Sequence, residues 1–192
     1  MEGDKLGTIS DEQIENTVEL VKAGNLEAYT FIIRRFEKPL YIYCYHLLEN
    51  REEAQDAVQE IFIKAYQEIH RYTPTVSFSA WLYKIAYHHS LNLMKKHKQR
   101  LKVAMYFKQQ EESKEYTFRE ESNLEKLLAY LSPEEKHILL LKAVEQYNFT
   151  EIGQITGCKP ATVRKKYQRL RMKLIEQGNK RKEGGLFVQP NG

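Results

Sequence analysis

Arg164, Lys165, Gln168 and Arg169 are the side chains of this sequence best equipped to act on a partner. Set on a helix at about 100° per residue, they fall largely on one side together with Ala161. Val163, Tyr167, Leu170 and Leu174 share another side and can pack. Guanidinium forks and an amide read the edges of bases, and lysines grip phosphate, so this pattern is major-groove chemistry. Between Lys159 and Lys173 there is no acid to neutralise the run. Upstream, Thr150 can cap a short helix, Gly157 can take the positive φ of a helix end, and Pro160 suits a first turn. Residues 149–174 therefore read as a helix-turn-helix. A basic helix lying in solvent or on a protein partner is the plainer alternative.

A second constellation sits on a predicted helix over residues 78–98. It begins apolar with Trp81, Leu82, Ile85 and Ala86 and ends in Lys95, Lys96, His97 and Lys98, with Lys84, His88, His89 and Asn92 between. Dipole complementation at a helix end needs one or two cations, not such a run, so a role in tracking a nucleic-acid backbone is favoured. Adjacent histidines point about 100° apart on a helix and have no further ligand at metal spacing, so neither metal nor cofactor is expected.

A third lies on residues 51–71. Ala54, Val58, Ile61, Phe62, Ala65, Tyr66 and Ile69 form an apolar stripe, while Glu52, Asp56, Gln59, Glu60 and Ile63 point away from it. Acids repel phosphate, and an outward isoleucine is unusual on a merely solvated face, so a protein partner is expected here. No nucleophile–base spacing and no glycine-rich phosphate loop appear, which argues against an enzyme.

The elements that must position these groups are all helical. The chain has 192 residues, a net charge of +4 and a pI near 8.9, so the placement of charge matters more than its total. Two cysteines, Cys44 and Cys158, make no metal or disulfide pattern, which suits a reducing compartment. The polar, acidic start does not read as a signal peptide, and no apolar stretch is long enough to span a bilayer. Ser10 and Gln13 have capping-box spacing ahead of a first helix. A second helix is expected over residues 26–36, with Pro39 opening a separate one over 40–48. Residues 101–122 turn polar and read as a linker. Leucines at 124, 127, 128 and 131 restart a helix, and Ser132-Pro133-Glu134-Glu135 starts the next. The expected architecture is all-α: two small helical domains joined by a linker, the C-terminal one a helix-turn-helix. The divisions fall at a flexible N-terminus 1–10, a first domain 11–100, the linker 101–122, a second domain 123–176 and a flexible tail 177–192.

Several of these stretches together carry a resemblance. The run from Glu53 to Tyr66 resembles the core-polymerase-binding helix of bacterial sigma factors, and Phe78 to Ala86 resembles their promoter-melting helix. Leu131 to Glu135 with the helix-turn-helix is similar to their carboxy-terminal domain. Two domains with only a short linker resemble the extracytoplasmic-function (ECF) group. The resemblance implies that Glu52, Asp56, Gln59, Glu60 and Ile63 meet the core RNA polymerase. It implies that Tyr72, Trp81, Lys84, His88, Asn92, Lys95 and Lys96 handle single-stranded −10 promoter DNA. Lys159, Ala161, Thr162, Arg164, Lys165, Gln168 and Arg169 would read the duplex −35 element. His88 stands where asparagine is usual, Tyr87 where arginine is common, and Gly153 where alanine is commoner, an exchange expected still to permit close helix approach. An anti-sigma factor, in many cases membrane-anchored, is implied as a partner, and the protein itself as cytoplasmic, with no segment of its own in the membrane. The rival reading is a dimeric helix-turn-helix regulator, which would need neither the acidic helix nor the Trp81 motif.

Overall fold

The computed structural model describes residues 10–108, 128 and 130–184, with side chains placed to residue 100 in the first segment and to residue 179 in the last. All regular structure among them is helical. α1 (Asp11–Lys22) opens with the expected capping box: Gln13 N–H donates to Ser10 Oγ, and Ser10 N–H donates to Gln13 Oε1. α2 (Leu26–Leu48) starts at an Asn25 cap and ends at Glu49, which takes the left-handed conformation at φ 57°. The expected break at Pro39 does not occur. Proline forfeits one backbone hydrogen bond, but Phe36, Leu40, Tyr43, Cys44 and Leu47 bury one uninterrupted stripe across it, and that packing keeps the helix whole.

α3 (Arg51–Glu68) is capped by Asn50 and closes in one 3-10 turn, Ile69–Arg71. α4 (Phe78–Lys108) runs eight residues into the stretch read as linker; the rest of that stretch, most of the expected leucine helix before Leu131, the first nine residues and the last eight lie outside the described residues. α5 (Pro133–Ala143) has the expected Ser132–Glu135 capping box. α6 (Phe149–Thr156) is capped by Asn148, not Thr150: Asn148 Oδ1 accepts from the Thr150 and Glu151 N–H groups, and Glu151 returns a bond to Asn148 N–H. An asparagine one residue earlier satisfies two orphan amides at once, which Thr150 from inside the first turn cannot do. α7 (Pro160–Gly184) passes straight through Gly178 into the expected tail. A mid-helix glycine costs only about 1 kcal/mol, and no proline intervenes before Pro190.

α1 to α4 pack as a bundle around Val18, Ile32, Leu40, Ile61, Phe78 and Leu82, all 1% exposed or less. α5 to α7 gather Leu141, Ile152, Ile155, Val163 and Leu170 around a second centre. The two centres merge into one apolar cluster because α6 and α5 lie against α4 and α2. The seam between them is made of aromatic and polar side chains. Tyr43 and His137 Nδ1 are 2.6 Å apart, the distance of a good hydrogen bond, and the Tyr87 ring stands edge-on to His137 at 4.6 Å. Tyr83 meets Tyr147 at 5.4 Å, and the Tyr147 hydroxyl is hydrogen-bonded to Ser79. At the rim, Lys136 donates to Glu49 across 2.6 Å.

Candidate nucleic-acid interface

The helix-turn-helix is built around an unusually close turn. Gly157 ends α6 at φ 72°, and the N–H groups of Gly157 and Cys158 both donate to the Gly153 carbonyl. A Cβ on Gly153 would stand 2.7 Å from the Cys158 carbonyl oxygen. The approach is therefore tighter than alanine allows, and the glycine is a requirement of this turn rather than a neutral exchange. Beyond the turn, Thr162 and Val163 N–H donate to the Lys159 carbonyl and start α7. Val163 and Leu170 are fully buried and fix which way the helix faces.

That orientation places all seven of Lys159, Ala161, Thr162, Arg164, Lys165, Gln168 and Arg169 on the exposed side. The cations of α7 are also sorted. Lys166 donates to Glu134 at 2.5 Å and Lys173 to Glu135 at 3.2 Å, both acids belonging to the first turn of α5. The bond to Glu134 raises the Lys166 pKa, so that charge is committed within the domain. Arg164, Lys165 and Arg169 have no carboxylate partner among the described residues. Arg164 instead lies over the Phe149 ring, its Cζ 5.5 Å from the centroid.

On α4, a groove of about 350 Å³ is lined by Trp81, Lys84, Ile85, His88 and Asn92 of that helix and by Lys64 and Glu68 of α3. An adjoining hollow continues it past Asn92 to Lys95 and Lys96. Trp81 is half-buried, while the other five predicted residues of this helix are exposed. Tyr72 is not among them. It is 2% exposed, its hydroxyl donates to Glu15 and Val76, and its ring packs on Phe78 and Trp81. Here Tyr72 anchors the 72–77 loop and backs the indole. Burial, with Glu15 next, pushes its pKa up.

Lys64 was missed as a groove residue, and His89, one of the polar group expected on this helix, meets it there. Lys64 Nζ donates to His89 Nδ1 at 2.7 Å. Burial and then the lysine charge lower the His89 pKa, so a neutral imidazole faces the groove. His88 is shifted the same way, by burial and then Lys84. Lys64 comes from another helix, and no spacing within residues 78–98 could have signalled it. Tyr87, which stands where arginine is common, is 6% exposed and belongs to the seam.

On α3, Glu52, Asp56, Gln59, Glu60 and Ile63 are all exposed, Ile63 by 50%. Gln59 also borders a groove of about 540 Å³ between α2 and α3, with Arg34, Glu37, Lys38, Tyr41, Gln55 and Val58. The face can thus accept a protein element in a cleft of mixed charge.

Residues 32–100 match the family model for sigma-70 region 2, and residues 121–174 match that for sigma-70 region 4. The ECF RNA polymerase sigma factor SigW of Bacillus subtilis is 25% identical over 179 residues, 85% of this chain and 96% of that protein. The chain belongs to the ECF group of sigma factors. As such it is an alternative sigma factor that directs transcription initiation and is not itself an enzyme. The ECF sigma factor SigE of Mycolicibacterium smegmatis is 25% identical over 152 residues, 74% of this sigma factor and 58% of that one.

Solved structures share the fold of this sigma factor. CnrH in complex with the cytosolic domain of CnrY has a TM-score of 0.67 at 19% identity, covering 85% of this chain and 95% of that one. RpoE of Bartonella quintana, in complex with the anti-sigma factor NepR, has a TM-score of 0.64 at 18% identity, covering 79% and 96%. No described helix is long and apolar enough to cross a membrane.

Proposed function

We propose that the three exposed faces divide the work of initiation as follows. The α3 face of Glu52, Asp56, Gln59, Glu60 and Ile63 binds the core RNA polymerase. The groove of Trp81, Lys84, His88 and Asn92, with Lys64 and His89 beside it, receives unpaired −10 bases, and Lys95 and Lys96 follow their backbone. The outward side of α7 reads the −35 duplex. The observation that carries this reading is that one chain holds both kinds of nucleic-acid chemistry: an indole grouped with histidines, an asparagine and two lysines for extruded bases and their phosphates, and guanidinium forks without a carboxylate partner for a major groove.

The seam adds a step. The −35 and −10 elements lie about 25 base pairs apart, roughly 85 Å at 3.4 Å per base pair. Here α7 packs on α6 and α6 on α4, so two helix spacings of 8–10 Å keep the axes of the two reading helices within about 20 Å where they pack. The docked arrangement is thus a resting form, and the domains, divided near residues 101–122, separate when the polymerase and promoter are engaged. An anti-sigma factor would act on this equilibrium; RpoE of Bartonella quintana, which shares the fold, is bound by one. Such a partner, anchored in the membrane, would hold a cytoplasmic sigma factor at its inner face.

Co-migration with bacterial core polymerase, followed by run-off transcription on randomised promoters, tests the reading. Asp56→Ala with Gln59→Ala is expected to lower core affinity at least tenfold without changing the melting temperature. Retained core binding by that variant would overturn the role of α3. Specific duplex binding by the chain alone, as a dimer with no polymerase, would overturn the whole assignment.

A further inference from the structure

Phe149 occupies a place that packing alone does not explain. It is the first residue of α6, held there by the Asn148–Glu151 capping box, and its ring is only half-buried. One neighbour is Tyr167 of α7, with centroids 5.7 Å apart. Two others are cations: Lys142 Nζ at 5.3 Å and Arg164 Cζ at 5.5 Å from the ring centre. Both are within the roughly 6 Å over which a ring quadrupole attracts a cation. Lys142 is tethered elsewhere as well, since its Nζ donates to the Tyr147 carbonyl at 3.0 Å. Arg164 has no such tether, and the ring is its described anchor.

We propose that Phe149 is a positioning residue for promoter reading: it presents the guanidinium edge of Arg164 to a base pair of the −35 element. The proposal rests on the reading of α7 as the −35 helix. A guanidinium is planar. Attraction to the ring, with Cζ 5.5 Å from its centre, uses none of the five N–H donors as a hydrogen bond to a carboxylate, so they remain free for a bidentate contact. An exposed arginine otherwise samples many rotamers and loses that freedom on binding DNA. The ring removes part of this cost beforehand. Lys165, next to Arg164 on the same exposed side, has no aromatic platform among the described contacts, which suits a point charge on phosphate rather than a reader of bases.

The test uses the full chain with core polymerase, and single substitutions through the −35 element of a promoter it transcribes. Arg164→Ala is expected to lose about fivefold to a hundredfold of discrimination at one base pair. Phe149→Leu keeps apolar volume but removes the π face. It is expected to lose about two- to fivefold at the same base pair, with its response to −10 substitutions unchanged. The double variant loses no more than Arg164→Ala alone, and Phe149→Tyr retains discrimination. Equal losses at every −35 position in Phe149→Leu, or additive losses in the double variant, would overturn the proposal and leave Phe149 a packing residue. Full discrimination in Arg164→Ala would remove Arg164 as a reader and the proposal with it. A wild-type chain indifferent to the whole −35 element marks a failure of the functional reading itself.

Discussion

The seam between the domains and the outward faces use the same residue types to opposite ends. In the seam, Tyr43, Tyr83, Tyr87, Tyr147 and His137 are buried against one another, and burial drives every one of them toward its neutral form. On the outward faces, Lys84, His88, Lys165 and Arg169 stand in solvent with bonding capacity to spare. Tyr87 and His88 are consecutive, yet one closes the seam and the other lines the groove. The difference is thermodynamic. Groups that must be released later pack against each other, with modest energies per contact. Groups that must bind DNA are left unpaired, because an internal partner would have to be displaced first.

The largest expected effect breaks the seam from one side. Tyr147 is 9% exposed, its ring meets Tyr83, and its hydroxyl bonds to Ser79. Tyr147→Ala is expected to cost about 3–5 kcal/mol of contact between the domains, the range for deleting a buried aromatic ring. Urea unfolding followed separately in each domain is expected to split from one transition into two. The hydrodynamic radius at zero denaturant is expected to grow. A single transition at an unchanged midpoint would mean that the domains do not support each other through this ring.

A smaller effect reaches the same seam through protons. His137 is fully buried, and burial, with His88 next, lowers its pKa from 6.5 to about 3. With the imidazole neutral, the Tyr43 phenol can donate to Nδ1, and Nε2 has no partner among the described residues. Groups facing it are Tyr43 from α2 and Tyr87 and His88 from α4, none of them a carboxylate. The sign follows directly. Above pH 6.5 the imidazole is neutral in both the docked and the separated form, so its full contribution is present. Below 6.5 the separated form binds a proton that the docked form refuses. Stability of the seam therefore falls with pH down to about 3. At pH 5 the loss is about 2 kcal/mol. Denaturation midpoints between pH 7.5 and 5 measure it, and His137→Gln is expected to flatten most of the slope. An equal slope in that variant would move the proton site elsewhere.

What the chain made legible follows the range of the forces involved. The capping boxes at Ser10 and Ser132 and the turn at Gly157 were readable because each is settled within three or four residues. The face of α7 was readable because Val163 and Leu170 repeat at helical spacing and leave the cations one side only. Pro39 and Thr150 misled for opposite reasons: a buried stripe overrode the proline, and Asn148 offered a better cap one step earlier. The burial of Tyr72 was not readable because it depends on Glu15, which is distant in sequence. Lys64 in the groove, Phe149 under Arg164 and the whole seam join separate helices. No periodicity within one helix encodes such pairings.

The smallest expected effect is the sharpest test of the sorting on α7. Lys165 and Lys166 are adjacent lysines of equal formal charge, but Lys166 is paired with Glu134 at 2.5 Å and Lys165 has no acid. A paired lysine offers DNA almost no net charge, because the carboxylate beside it repels the phosphate that the ammonium attracts. Lys165→Ala is expected to reduce the slope of log affinity against log salt by about one, since one phosphate contact and its counterion release are lost. Lys166→Ala is expected to leave that slope unchanged and to cost only about 0.5 kcal/mol of stability, as exposed pairs do. Holoenzyme binding to a promoter fragment between 50 and 200 mM salt, a range over which such slopes separate, compares the two directly. If Lys166→Ala flattens the slope as much as Lys165→Ala does, Glu134 releases its lysine when DNA arrives. The outward face would then include a residue that the resting form holds in reserve.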